Sequence, residues 1–178
     1  RQQRVHYTQS LLHTCPKPVI AAVNGAASGL GADTALACDF IIASEGANFT
    51  WSYIHRGIVP DGGGMYFLPR RVGLVKAKDL IFSGRKVDLE EAAQIGIVDR
   101  ITTPELLVTD AQAWAKELSK GSGTALALSK TILNQTFETT AAQIFAQGSQ
   151  AQGICYTSTE HRESVIAFLE KAAAAKNK

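Results

Sequence analysis

Two short glycine-rich stretches hold the side chains best suited to chemistry. Asn24-Gly-Ala-Ala-Ser-Gly-Leu-Gly-Ala-Asp33 ends on a carboxylate, and Gly57-Ile-Val-Pro-Asp-Gly-Gly-Gly64 carries a second one, Asp61. The first stretch follows the apolar run Pro18-Val-Ile-Ala-Ala-Val23 and leads into Thr34-Ala-Leu-Ala-Cys38, so it reads as a strand, a glycine turn and a helix start. Amides at a helix start lack intrahelical acceptors and the helix dipole favours negative charge there. Ser28 to Ala32 is therefore suited to hold an anion, or an oxygen becoming one. Plainer readings stay open: the glycines serve only their turns, and Asp61 caps a helix beginning near Gly62. Nucleotide motifs do not fit, because Gly25, Gly29 and Gly31 run opposite to G-x-G-x-x-G and there is no G-x-x-x-x-G-K-[ST]. A nucleophile elbow at Ser28 would need glycines where Ala26 and Leu30 stand.

Several segments together carry a family resemblance. Lys17-Pro-Val-Ile-Ala-Ala-Val-Asn-Gly25, Ser28-Gly-Leu-Gly-Ala-Asp33, Cys38-Asp39 and Gly57-x-x-Pro-Asp-x-Gly-Gly64 resemble the enoyl-CoA hydratase/isomerase (crotonase) family. Leu80-Ile-Phe-Ser-Gly-Arg85, Ala92-Ala-Gln-Ile-Gly-Ile-Val-Asp99 and Ala167-Phe-Leu-Glu-Lys171 resemble its later segments in the right order. The resemblance implies an α/β fold, a spiral of strand-strand-helix units over residues 1–120 followed by a helical region over 121–178 used in oligomerisation. It also implies acyl-CoA chemistry, with coenzyme A brought as part of the substrate and no separate cofactor or metal.

Removing a hydrogen next to a thioester carbonyl needs a placed base and stabilisation of the enolate oxygen that forms. In the family one oxyanion donor is a backbone N–H that maps onto Leu30. The neighbouring Ala26, Ser28, Gly29 and Trp51 map to the substrate-binding surface. Hydratases of the family use two glutamates whose positions hold Asp33 and Tyr53 here. Aspartate draws its carboxylate back by about 1.5 Å, and a phenol with an ordinary pKa of about 10 is neutral at pH 7. Asp61 falls where isomerases of the family carry the acidic residue that moves a proton between C2 and C4. Double-bond isomerisation is thus favoured over hydration, with burial against Trp51, Tyr53 or Tyr66 expected to raise the Asp61 pKa. A CoA-thioester hydrolase and a non-catalytic homologue are the remaining alternatives. Asp33 is read either as bonding a partner or substrate group or as structural near the helix start, Tyr53 either as a phenol donor or as core packing, and His55 as a surface or structural histidine rather than a general base.

The elements that must position these groups follow from pattern. Gln2 to His13 reads as a helix stopped by Pro16 and Pro18. Val19–Val23, Phe40–Ala43, Asn48–Trp51 and Ile97–Ile101 read as strands. Met65–Leu68 and Val75–Phe82 read as helices, Asp88-Leu-Glu-Glu91 as a capping box for a helix through Gln94, and Thr103-Pro104 as the start of another. Gly121-Ser-Gly123 breaks that helix, and only helices follow, including Thr159 to Lys171. Trp114 packs on a helix face. No internal repeat is visible.

The 178 residues suit one domain with a sizeable core, and a net charge of +2 without a dense Lys/Arg run argues against nucleic-acid binding. Three widely spaced cysteines argue against a disulfide framework or a zinc site and fit a reducing, cytoplasmic setting. No membrane span or signal peptide is indicated. Ile144, Phe145, Ile154, Val165, Ile166, Phe168 and Leu169 are too many apolar side chains for one small core, so another subunit is expected to cover some of them. The resemblance implies a homotrimer or a pair of trimers, with Lys171 a candidate phosphate contact. It also places residue 1 inside a helix that follows several strands, so the sequence is expected to be part of a longer chain whose preceding strands bring the second oxyanion donor.

Overall fold

The computed structural model describes residues 2–176, in two compact units that divide between Glu117 and Leu118. In the first, helix α1 (Gln2–Thr14) ends ahead of Pro16 and Pro18, and two strand-strand-helix units follow. These are β1 (Ile20–Val23), β2 (Ala26–Ser28) and α2 (Leu30–Leu36), then β3 (Phe40–Ser44), β4 (Asn48–Thr50), a 3₁₀ turn (Ser52–Arg56) and α3 (Gly64–Val72). Each unit gives its first strand to one sheet and its second strand to another. β1 and β3 pair in parallel with Ile20 opposite Phe40, and β2 and β4 pair in parallel with Ala26 opposite Asn48. Helix α4 (Leu74–Ser83) then leads to β5 (Lys86–Val87), which joins β4 antiparallel. After α5 (Leu89–Gln94), β6 (Arg100–Thr102) joins β3 in parallel, and α6 (Leu107–Leu118) follows. The expected α/β spiral is the observed architecture.

Apolar side chains from both sheets and the helices between them form the core. Ile41, Phe49, Trp51, Leu68, Leu80, Val87 and Ile97 are fully buried in it. Carboxylates and a guanidinium extend the ladders of the first sheet where backbone pairing runs out. Val19 N–H donates to Asp39 Oδ2 and Ile41 N–H to Asp99 Oδ2, each at 2.7 Å. Arg71 of α3 donates to the Asp39 carbonyl (2.8 Å) and pairs with Asp99 (3.2 Å), tying that helix to the sheet end.

Asp33, on α2, is buried without any exposure. Its Oδ1 accepts from Trp51 Nε1 at 3.0 Å and its Oδ2 from the Tyr53 hydroxyl at 2.7 Å, while the Gly64 N–H at the start of α3 also donates to it. Burial nonetheless pushes its pKa above the ordinary 3.8, outweighing the three hydrogen bonds that favour the ion. Tyr53, half-buried, is pushed up by the same desolvation and by donating to Asp33. The packing leaves no room opposite the carboxyl. A Cβ on Gly62 would lie 2.7 Å from Asp33 Oδ2, and one on Gly64 would strike Asp33 Oδ1 and crowd Pro60 and Trp51.

Several elements differ from the sequence expectation. The first glycine stretch is not one turn: Ala26–Ser28 forms β2, because β4 supplies a partner that lies far away in sequence. β5 and the 3₁₀ turn were not expected, and each is too short to carry a periodic pattern. The last strand is Arg100–Thr102 rather than Ile97–Ile101, since Ile97 and Val98 turn their N–H groups back onto the Ala92 carbonyl. α3 runs past the expected Leu68 and through Pro69, with the Arg70 side chain donating to the Tyr66 carbonyl (2.9 Å). Pro104 lies in a turn closed by Leu106 N–H on the Thr103 carbonyl, so α6 begins only at Leu107. Asp88 does cap α5, accepting from Glu91 N–H at 2.9 Å.

The second unit holds α7 (Gly123–Leu133), α8 (Ala141–Thr157) and α9 (Thr159–Lys176). Ser122 caps α7 and Thr140 and Gln143 form a capping box on α8, both from local sequence, while Glu160 of α9 reaches back to accept from the Thr124 hydroxyl of α7 at 2.7 Å. Phe145, Ile154, Ile166, Phe168 and Leu169 are exposed. No described helix is long and apolar enough to cross a membrane.

Two stability measurements test the Asp33 packing. Gly64→Ala should lower the unfolding free energy by about 1–3 kcal/mol through overpacking, whereas Gly25→Ala, whose added methyl meets nothing within 4 Å, should stay within about 0.5 kcal/mol. Because the folded-state pKa of Asp33 is raised, its contribution to stability is full below the unfolded value and is lost as pH rises through the folded value. Asp33→Asn keeps an acceptor for Trp51 and a group to pair with Tyr53 but does not ionise. Urea unfolding from acid to neutral pH should therefore show the variant gaining on the native protein as pH rises.

Candidate active site

β2, α2 and the second glycine turn bring the candidate residues to one region of the first unit. Gly29 N–H donates to the Thr50 carbonyl (2.8 Å), extending the β2–β4 pairing by one residue, and its φ of 54° then turns the chain into α2. That conformation favours glycine. Asp33 N–H closes on the Gly29 carbonyl (3.0 Å), so the amides of Leu30, Gly31 and Ala32 fall in the first helical turn, where a helix has no acceptor to offer. The Leu30 side chain is exposed. Along β2, Ala26 and Ser28 face outward and Ala27 inward.

Trp51 requires a correction. It is fully buried with its indole N–H spent on Asp33, so it stands behind the surface it was expected to form. A second correction concerns the two carboxylates. Trp51 and Tyr53 enclose Asp33 and not Asp61, so Asp33 is the carboxyl whose pKa burial raises. Tyr53 both donates to Asp33 and packs against the core, so the alternatives for it meet in one role.

Asp61 lies at the surface, its side chain 38% exposed, with Oδ2 3.5 Å from His6 Nε2. It does not cap the helix beside it. α3 starts at Gly64 behind Gly63, whose φ of 110° makes the turn, and the carboxylate that accepts from that helix start is Asp33. The carboxylate opens on a cleft of about 310 Å³ between α1 and the start of α3, lined by His6, Gln9, His13, Tyr66 and Phe67 among others. The His13 ring stands edge-on to Phe67 at 5.1 Å and to Tyr66 at 5.9 Å. His55 is exposed on the 3₁₀ turn and Lys171 is exposed on α9. Among the described residues, no group of three or more His, Cys, Asp and Glu side chains could hold a metal ion.

The α1 residues in this cleft escaped the sequence reading, which treated that helix only as an element stopped by prolines. The signal was present. Positions 6, 9, 10 and 13 recur at the spacing that places side chains on one helix face, and all four are polar, His6, Gln9, Ser10 and His13. A polar stripe of this kind is as typical of a solvated face, and only the position of Asp61 distinguishes the two.

Comparison with known proteins follows the same lines. The family model described as enoyl-CoA hydratase/isomerase matches residues 1–176. Crotonyl-CoA hydratase of Syntrophomonas wolfei is 38% identical over 162 residues, which cover 90% of this chain and 62% of that protein. The crystal structure of an enoyl-CoA hydratase from Bacillus anthracis superposes with a TM-score of 0.91 at 31% identity, covering 96% of this chain and 66% of that one. An enoyl-CoA hydratase/isomerase from Cupriavidus metallidurans gives 0.88 at 38% identity, covering 96% and 65%. The chain thus spans a little under two thirds of the length of these relatives. The family match over residues 1–176, the fold and the two glycine turns agree, and the chain belongs to the enoyl-CoA hydratase/isomerase family.

Proposed function

We propose that the protein shifts the double bond of an enoyl-CoA thioester, with Asp61 as the group that carries the proton. The observation behind this reading is the contrast between the carboxylates: Asp33 is enclosed by Trp51, Tyr53 and Gly64, whereas Asp61 is reachable from a cleft. In a 3-enoyl thioester the C2–H bond breaks as an O–H bond forms on Asp61. The electron pair spreads from C2 over the carbonyl and the C3–C4 double bond. The same proton then goes to C4, leaving a C2–C3 double bond and the free carboxylate. A single positioned base of this kind contributes about 10²–10⁴ in rate. The Leu30 N–H is proposed to hold the enolate oxygen, a donor whose loss typically costs about 10²–10³.

The names of the relatives favour a second reading, addition of water to a 2-enoyl-CoA. That reaction needs groups that hold and activate a water. Here Asp33 and Tyr53 are bonded to each other at 2.7 Å, and burial disfavours the ionised form of both. Incubating the full-length protein with 3-enoyl-CoA and with 2-enoyl-CoA and identifying the product decides between the two. A 3-hydroxyacyl-CoA from the 2-enoyl substrate would establish hydration, and no turnover of either would point to a hydrolase or a binding protein.

The exposed apolar side chains of α8 and α9 support assembly as a trimer or a pair of trimers, which sedimentation at micromolar concentration tests. The three free cysteines fit the reducing cytoplasm as the site of action.

Asp61→Asn should lower isomerisation by about 10²–10⁴-fold with the far-UV circular dichroism unchanged, since that side chain packs into no core. A near-native rate would remove Asp61 from the mechanism. Tyr53→Phe should have the smaller effect on kcat, because it removes only a hydrogen bond behind the site; a greater loss than in Asp61→Asn would reverse the two roles.

A further inference from the structure

We propose that His6 is a positioning residue for Asp61, holding one carboxylate oxygen so that the other is free for the proton transfer. The inference rests on the reading of Asp61 as the proton carrier. Its own support is the seating of α1. Gln9, one turn along the same face, is buried and donates from Nε2 to Thr34 Oγ1 at 3.0 Å, and Thr34 in turn donates to the Leu30 carbonyl at 2.7 Å. His13, a further turn on, packs edge-on against Phe67 and Tyr66 of α3. α1 is thereby fastened to the helix that presents the Leu30 amide and to the helix that follows Asp61. His6 shares that face and reaches the cleft with Nε2 3.5 Å from Asp61 Oδ2.

This separation is long for a hydrogen bond, and a small rotation of either exposed side chain closes it. An imidazole N–H on Oδ2 restrains the carboxylate plane, which the glycines on its C-terminal side, having no side chains, cannot do. The contact survives the reaction cycle, because a donor on Oδ2 is compatible with Oδ1 both before and after it has taken the proton. No proton passes to His6. Its contribution is orientation, which is realised in the transition state and so appears in kcat rather than in KM.

The test compares His6→Leu and His6→Gln in the full-length protein with 3-enoyl-CoA as substrate. Glutamine places an N–H donor at the distance of imidazole Nε2, and leucine places none. His6→Leu should lower kcat on the order of tenfold, the worth of one hydrogen bond to a charged group, with KM within twofold. His6→Gln should recover kcat to within about threefold of the native protein. Native kcat in His6→Leu, or a loss that glutamine does not restore, overturns the positioning role. Asp61→Asn measured alongside separates the two claims: if it is inactive while His6→Leu is native, only the role of His6 falls, and if it is active, the assignment of Asp61 falls first.

Discussion

One buried carboxyl fixes the geometry around which the first unit is arranged. Asp33 projects from α2 into a space without solvent, where Trp51 and Tyr53 donate from the segment after β4 and Gly64 donates from the start of α3. Three pieces of chain that enter the core separately are pinned to one pair of oxygen atoms. A buried polar group left without partners costs about 1–3 kcal/mol, so these elements are held to one arrangement and not merely packed together. The constraint reaches back to the sequence of the second glycine turn. Gly62 and Gly64 press so closely on Asp33 that neither can carry a side chain without displacing it.

The same enclosure gives the two carboxyls different environments. Asp33 is desolvated, bonded to a phenol and pushed towards its neutral form. Asp61 follows Pro60 on the outer side of the turn, keeps contact with solvent and faces His6 across a cleft. The negative charge of Asp61 also contributes, in lesser measure than burial, to raising the Asp33 pKa. With Asp33 enclosed, Asp61 is the carboxylate left within reach of the cleft, and the proposed double-bond shift needs only one. The helices of the second unit are stabilised differently, by caps at their starts, and leave Phe145, Phe168 and Leu169 in solvent.

Much of the fold was legible from the residues themselves. The prolines after α1, the apolar runs of β1 and β3, the Asp88 cap and the helical character of the last third are local signals, and each marks an observed element. The glycine motifs, Cys38-Asp39 and the later segments carried the family resemblance, and a positive φ at Gly29, Gly57 and Gly63 or close approach at Gly62 and Gly64 restricts residue type there. What pattern could not supply was pairing at a distance. β2 exists because Ala26–Ser28 finds Asn48–Thr50, and the alternation of strands between two sheets leaves no repeat in the sequence that periodicity can detect.

The chemistry divides along the same line. Sequence by itself determined the kinds of group available: a carboxylate in each glycine turn, an amide-rich helix start at Leu30, and a phenol at Tyr53 between the two turns. Tertiary structure decided which carboxyl is buried, that Tyr53 serves Asp33, that Trp51 is behind the surface, and that α1 contributes His6 beside Asp61. The physical reason is that residue type sets a group's hydrogen-bonding capacity and ordinary pKa, while desolvation and the identity of its partners depend on chain segments brought together only by folding.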